Sequence, residues 1–409
     1  MKILIQFCLL MAWLSSAAAA SYSGTVIDTS SKQPIEGAFV TLGEQVVRSG
    51  RNGKFQLDGI GDTLGIRAYG HVRRAVSTLN KDAPILLAAY KPKALYLSLL
   101  GVTNKQLRNA ALNLIHDTEL NALVIDVKDD MGRAAFPGGA GRPISNFKAI
   151  VNELHAKGIY LIARIVVFKD NPLATGRPDI AIKTTRGAIW KDREGLAWSN
   201  PYSQTVRNIN IDLAIEAAKA GFDEIQFDYV RFPDATGLAY SMPNTEENRV
   251  AAISGFLSDA GQKLVPYNVF LSADIFGYVS WNTNDTFIGQ KLDNLAEVLD
   301  YISPMLYPSG FQFGIPGYLD PVHHPREIVY YSLEKATQRT KLPGIRFRPW
   351  LQAFRDYAFN RMPFKGEQIR AQIEAADSMG SCGWMLWNPH NIYSRDGLQL
   401  KNSNVQEIR

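Results

Sequence analysis

Four charged residues in this 409-residue chain stand in apolar surroundings. Asp126, Arg164, Asp228 and Asp274 lie within the runs "ALVIDV", "YLIARIVVF", "EIQFDYV" and "VFLSADIF". A buried charge is costly unless it is paired, so each needs a reason. Arg164 or Arg231 could bridge Asp126 and Asp228, which would make the group structural. Alternatively, two of the carboxyl groups could act on a substrate bond, one giving a proton and the other attacking or activating water.

The elements that must position these residues are short apolar strands alternating with helical stretches. Strands are predicted at Ala94, Ala122, Tyr160, Glu224, Val269, Tyr301, Phe347 and Gly383. Between them, segments such as "NKQLRNAALNLIHDT" and "SQTVRNINIDLAIEAAKAG" carry helical periodicity, and several end in Gly or Asn. Eight such repeats predict an α/β fold, a (β/α)8 TIM barrel. A doubly wound open sheet is the competing arrangement, but the first strand is followed by no glycine-rich phosphate turn.

Strand residues alternate between the barrel axis and the surrounding helices. On the fourth strand Gln226 and Asp228 then face the axis. On the second, Asp126 and Lys128 share a face with Val124, and on the third Arg164 falls with Ile162. Asp274 closes the axis-facing set of the fifth strand, Gln352 ends the seventh, and Trp387 ends the eighth. Charged groups from four strands therefore converge on the rim where barrel enzymes place their chemistry. Paired carboxyl groups with aromatics around them fit glycoside hydrolysis, because sugar rings present apolar C–H faces. Tyr229, Phe232, Tyr278, Trp281, Tyr307, Trp350, Trp384 and Trp387 lie near predicted strand ends, and about half are expected to be ordinary core. Other chemistries find no motif: there is no phosphate-binding GxxxxGKS, no GxSxG and no HExxH. His323 and His324 are adjacent rather than spaced as metal ligands, so neither metal nor cofactor is expected.

Residues 1–20 read as a signal peptide, with Lys2, an apolar run to Leu14 and then "SSAAAAS". That predicts a periplasmic or secreted protein without a membrane span. Loss of Lys2 leaves 43 basic against 39 acidic residues, too even a balance to suggest nucleic-acid binding. Only Cys382 then remains, so no internal disulfide is expected. Residues 21–90 differ in texture, with short alternating strands broken by Asn-Gly and Gly-rich turns, and they predict a small all-β sandwich. The barrel should occupy residues 91–409.

Two resemblances sharpen these expectations. "SGTVIDTSSKQPIEGAFVTL…SGRNGKFQL" resembles the regulatory-like, transthyretin-type sandwich of carboxypeptidases, which implies a spacer or a docking module toward an envelope partner. In order, "ALVIDVKDDMGR", "YLIARIVVFKD", "GFDEIQFDYVRFP", "LSADIFGY", "IGQKL", "DYISPMLYPSGF", "RPWLQAF" and "GWMLWNPHNIY" resemble a bacterial family of glycosyl hydrolase barrels, distantly similar to amylase-like enzymes. By that analogy Asp228 is the nucleophile (or the base, in an inverting enzyme) and Asp274 the general acid. Gln226 stands where amylase-like enzymes have Arg, and Asp274 where they usually have Glu. Asp126, Asp129 and Asp130 are alternative acids. Asp126, Lys128, Arg164 and Arg231 would orient carboxylates or hold sugar hydroxyls, and Tyr307, Trp350, Gln352 and Trp387 would bind a polysaccharide chain. A catalytically weak, glycan-binding barrel is the competing function.

Overall fold

The computed structural model describes residues 20–78 and 83–401, so the expected signal peptide lies almost wholly outside the described residues. The N-terminal part holds seven strands: β1 (Ala20–Asp28), β2 (Phe39–Leu42), β3 (Gln45–Arg48), β4 (Lys54–Gly59), β5 (Thr63–Arg67), β6 (Arg74–Ser77) and β7 (Ile85–Leu87). They form two sheets, β4-β1-β7 and β3-β2-β5-β6, around a core of Val26, Val40, Phe55, Leu57 and Ile66. The alternation read from the sequence is visible in β4, whose residues are exposed and buried in turn.

Eight parallel strands then close a barrel: β8 (Lys93–Leu97), β9 (Ala122–Lys128), β10 (Tyr160–Val166), β12 (Glu224–Asp228), β14 (Phe270–Phe276), β15 (Tyr301–Met305), β16 (Trp350–Gln352) and β17 (Trp384–Trp387). The remaining strands, β11 (Lys183–Thr184) and β13 (Leu238–Ala239), make a small ribbon in the loops. Burial on both faces explains why the barrel strands read as continuous apolar runs. The two faces nevertheless separate. Val124, Ile162, Phe270, Tyr301 and Met385 pack together inside the barrel, whereas Leu123, Ile125, Leu161, Ile225 and Phe227 pack against the helices. Each such side chain contributes about 1.5–3 kcal/mol on burial.

Local signals fix where the strands start. The helix Gln204–Ala220 is capped by the Ser203 hydroxyl, which accepts the Val206 N–H, and it stops at Gly221 with φ +111°. Only glycine adopts that conformation readily, and the turn delivers Phe222 into the core and Glu224 to the start of β12.

The β domain covers the amino-terminal end of the barrel. Arg73 bonds Asp223 Oδ1 (2.9 Å) and the carbonyls of Gly221 and Phe222. Asn268, just before β14, donates to Ile66 and Arg74 carbonyls, and the Gly70 N–H donates to the Tyr301 hydroxyl. The carboxyl ends of the strands are thus left open at the opposite end.

Candidate functional site

The barrel interior is built in polar layers. Deepest, Glu224 accepts from Arg348 at 2.6 and 2.8 Å, from Tyr160 at 3.0 Å and from Ser272 at 2.6 Å. Glu224 and Arg348 are fully buried and saturated by one another, which is how a buried ion pair is tolerated. Above them Gln226 donates to the Ser303 hydroxyl at 3.1 Å.

The third layer is at the rim and centres on Arg164. Its Nη1 donates to Asp126 Oδ1 at 2.6 Å, and its Nε and Nη2 donate to Asp228 Oδ2 at 3.0 and 2.5 Å. The same Nε lies 3.9 Å from Asp274 Oδ2. Arg164 does bridge Asp126 and Asp228, as the structural reading required; Arg231 makes neither contact. Asp126 also accepts the Tyr96 hydroxyl at 2.6 Å, and Tyr96 stacks on Trp387 with ring centres 3.9 Å apart. Asp274 Oδ1 accepts the Trp350 indole N–H at 2.6 Å. Asp228 Oδ1 accepts the N–H of Tyr229, whose φ of +47° is strained for a bulky residue.

The three carboxyl groups are not equivalent. Burial and then the charge of Asp228 push the Asp274 carboxyl well above the ordinary range, against the pull of Arg164 and the Trp350 N–H. Burial raises Asp126 to about 6, against the opposing effects of Arg164 and Tyr96. Burial would lower Arg164, but the charges of Asp228 and Asp126 outweigh it and hold the guanidinium protonated. Asp228 receives two charge-assisted bonds from that fixed cation.

A cavity of about 190 Å3 opens over this layer, lined by Arg164, Asp228, Tyr229, Arg231, Asp274, Phe276, Met305, Tyr307, Trp350 and Trp387. It adjoins a groove of about 850 Å3 with which it shares Tyr229, Arg231 and Phe276. Of the residues singled out from the sequence, Arg164, Asp228, Tyr229, Arg231, Asp274, Tyr307, Trp350 and Trp387 come together here. Asp126, Lys128 and Gln352 do not line the cavity.

Asp126 sits behind Arg164 as its second anchor. Lys128 turns away: its amine pairs with Asp170 at 2.6 Å and Asn210 at 2.9 Å, on the helix side. The reason is a register shift, since Arg164 pairs with Asp126 but the next residue, Ile165, pairs with Lys128. The extra residue of this bulge breaks the two-residue alternation that placed Lys128 on the axis. Gln352 braces the loop after β15, bonding the backbone N–H and hydroxyl of Ser309. Asp129 is tied to Arg133 at 2.7 Å, and Asp130 is 3.9 Å from Lys169, so neither alternative acid reaches the cavity. Phe232 and Trp384 are core, and Trp281 bonds Ser332 on a helix. His323 pairs with Asp320 at 2.7 Å, away from the cavity. Tyr96, Phe276 and Met305 were missed, although Tyr96 alternates in phase with the inward-facing Ala94.

Among solved structures, a hypothetical protein from Ruminiclostridium thermocellum ATCC 27405 is 34% identical over 44% of this chain and 96% of its own, with a TM-score of 0.39. The PgaB (BpsB) glycoside hydrolase domain from Bordetella bronchiseptica has the same fold. It superposes with a TM-score of 0.56 at 17% identity, over 76% of this chain and 100% of that domain. No curated protein matches the chain. Residues 94–393 match the family described as "Putative glycosyl hydrolase domain". That stretch runs from the second residue of β8 to beyond β17 and takes in every cavity-lining residue. The chain belongs to the "Putative glycosyl hydrolase domain" family.

Proposed function

We propose that this protein is an exported glycoside hydrolase that cleaves a polysaccharide with Asp228 and Asp274. The observation that carries the reading is a pair of carboxyl groups on one cavity held in unlike surroundings. Asp228 is bonded twice to Arg164, while burial and the Asp228 charge push the Asp274 carboxyl well above its ordinary range. Unlike surroundings of this kind suit one carboxyl group to the role of nucleophile or base and the other to that of acid. Asp274 would protonate the leaving oxygen, and Asp228 would attack the anomeric carbon.

Both Oδ2 atoms lie around Arg164 Nε, at 3.0 and 3.9 Å, so they can be no farther apart than about 7 Å. Inverting enzymes need about 6.5–9.5 Å to seat a water, and retaining ones about 5–5.5 Å. The bound favours direct attack and retention. Trp350, Trp387 and Tyr307 would hold the sugar, and Tyr278, Phe313 and Tyr357 in the outer groove would carry further rings. No cofactor enters this scheme. Among the described residues no helix is long and apolar enough to cross a membrane. We assign the β domain as a docking module toward an envelope partner.

The test is a panel of bacterial polysaccharides incubated with wild type, Asp228→Asn and Asp274→Asn, with reducing ends measured and the anomer of the product read by NMR. Loss of turnover in both variants is expected, with a product of retained configuration. Equal turnover in all three proteins sinks the assignment. Tight binding with no turnover by the wild type favours a glycan-binding barrel instead.

A further inference from the structure

Arg231 is the cation at the site that lacks a counter-charge. It stands where the inner cavity meets the outer groove and lines both. Its guanidinium packs against the rings of Trp198 (4.9 Å) and Tyr229 (5.2 Å), which are themselves in edge contact, and its Nη1 donates to the Phe232 carbonyl at 3.0 Å. Among the described residues no carboxylate comes within 4.0 Å of its nitrogens. The carboxylates whose fields reach it, Asp228, Asp234 and Asp192, stay beyond ion-pair distance. None of its nitrogens is sealed off without a partner, so its free N–H groups are accessible from the spaces it lines.

Neighbouring cations differ. Arg164 is matched by Asp126 and Asp228, and Lys169 by Glu194 at 2.8 Å and Asp192 at 3.6 Å. Lys191 and Arg193 are exposed, and water solvates them. Of these cations Arg231 alone is partly buried, packed against two rings and without an ion-pair partner at the mouth of the inner cavity. A guanidinium so placed gains most from an anion that enters with a ligand. Planarity narrows the choice further, because the fork of a guanidinium matches the two oxygens of a carboxylate. The pairing in the site points the same way: Asp126 and Asp228 are both bonded to Arg164, which leaves Arg231 as the guanidinium open to a ligand.

We propose that Arg231 recognises a carboxylate on the sugar bound next to the cleaved bond, which makes the substrate an acidic, uronate-containing polysaccharide. This rests on the hydrolase reading for the words "cleaved bond", and it is tested by binding so that the two can fail separately. Asp274→Asn serves as the background, since it removes the proposed acid and so slows turnover while keeping the shape of the cavity. Titration calorimetry would compare oligogalacturonate, oligoglucuronate and oligomannuronate with their methyl esters, and with a sulfated neutral oligosaccharide.

At least one free acid should bind on the order of tenfold more tightly than its ester. Added Arg231→Gln should bring acid and ester within about twofold of each other, and Arg231→Lys should retain only part of the preference. Should the Gln variant fail to fold, the Lys variant decides, because a lost fork must still lower the preference severalfold. Equal binding of every acid and its ester overturns the proposal, as does a preference that survives at Arg231→Gln. Tighter binding of the sulfated oligosaccharide overturns the carboxylate assignment. If the wild type binds a uronate selectively yet never cleaves it, the hydrolase reading falls and the recognition role stands.

Discussion

Replacing Asp274 by Asn separates catalysis from stability. Asp274 Oδ1 accepts the Trp350 N–H at 2.6 Å, and an amide oxygen in the same place can do so too. Burial and the nearby Asp228 charge push the carboxyl group well above its ordinary range, so a neutral amide of the same shape resembles the form that the fold favours. The expected loss of stability is therefore within about 1 kcal/mol, the range of a modest change in hydrogen bonding. Catalysis should respond very differently. Loss of a general acid lowers rates by about 10²–10⁴-fold, equivalent to about 3–5.5 kcal/mol on the barrier.

Three measurements check this. Reducing-end release from a polysaccharide that the wild type cleaves should fall by that factor. On an aryl glycoside with an acidic phenol as leaving group the defect should shrink, because such a group departs without a proton. The pH profile supplies the third. Asp274 works only when protonated, so the wild-type rate should fall as pH rises through its elevated folded value, and the variant should lack that limb. A variant active within about twofold of wild type on the polysaccharide refutes the role. So does a melting temperature that drops in step with the activity, which would make Asp274 a structural residue.

Three further outcomes follow from the same geometry. Asp126 titrates near 6 in the fold against 3.8 unfolded, so the native state holds the proton more tightly between those values and stability is lost as pH rises from about 4 through 6. That contribution amounts to about 3 kcal/mol in full, of which about 2 kcal/mol falls between pH 4.5 and 7; urea unfolding at those two pH values should show it in wild type and not in Asp126→Asn, and identical pH dependence refutes it. Arg164→Met leaves Asp126 and Asp228 without their cation and should cost about 3–5 kcal/mol at pH 7, with part regained near pH 5 as the carboxylates take up protons. A loss equal at both pH values would mean that Arg164 matters for packing alone. Arg73→Ala removes the contacts to Asp223, Gly221 and Phe222 and should cost about 1–3 kcal/mol with activity unchanged, because they lie at the end of the barrel away from the cavity. Melting and hydrolysis measured side by side check it, and a fall in activity at unchanged stability counts against the separation.

The barrel was legible because its strands are buried on both faces and its helices end in recognisable caps. Asp228, Arg164 and Asp274 were legible for a related reason: a charge inside an apolar run is conspicuous. The same alternation reaches Glu224 and Arg348, two residues before Gln226 and Trp350, yet both sit at run edges where a charge looks ordinary. Lys128 was misplaced because a bulge leaves no mark on composition; one extra residue turned its side chain outward. The docking of the β domain on the barrel depends on contacts between residues about 150–230 positions apart, such as Arg73 with Asp223 and Gly70 with Tyr301, and short-range periodicity carries nothing about those.

Protonation states were the least legible of all, and they are where the argument for function rests. A buried cluster of charges is a poor way to stabilise a barrel, since apolar residues of similar volume often do as well or better. Asp126 and Asp228 can at least be explained as the two anchors of Arg164. Asp274 cannot. Its oxygen is 3.9 Å from the guanidinium, and its one close partner is an indole N–H that any amide oxygen would satisfy. Folding gains nothing from an ionisable group at that position that asparagine would not supply. What asparagine lacks is a proton to transfer, and Asp274, its carboxyl raised by burial, stands beside Asp228 on the wall of a cavity.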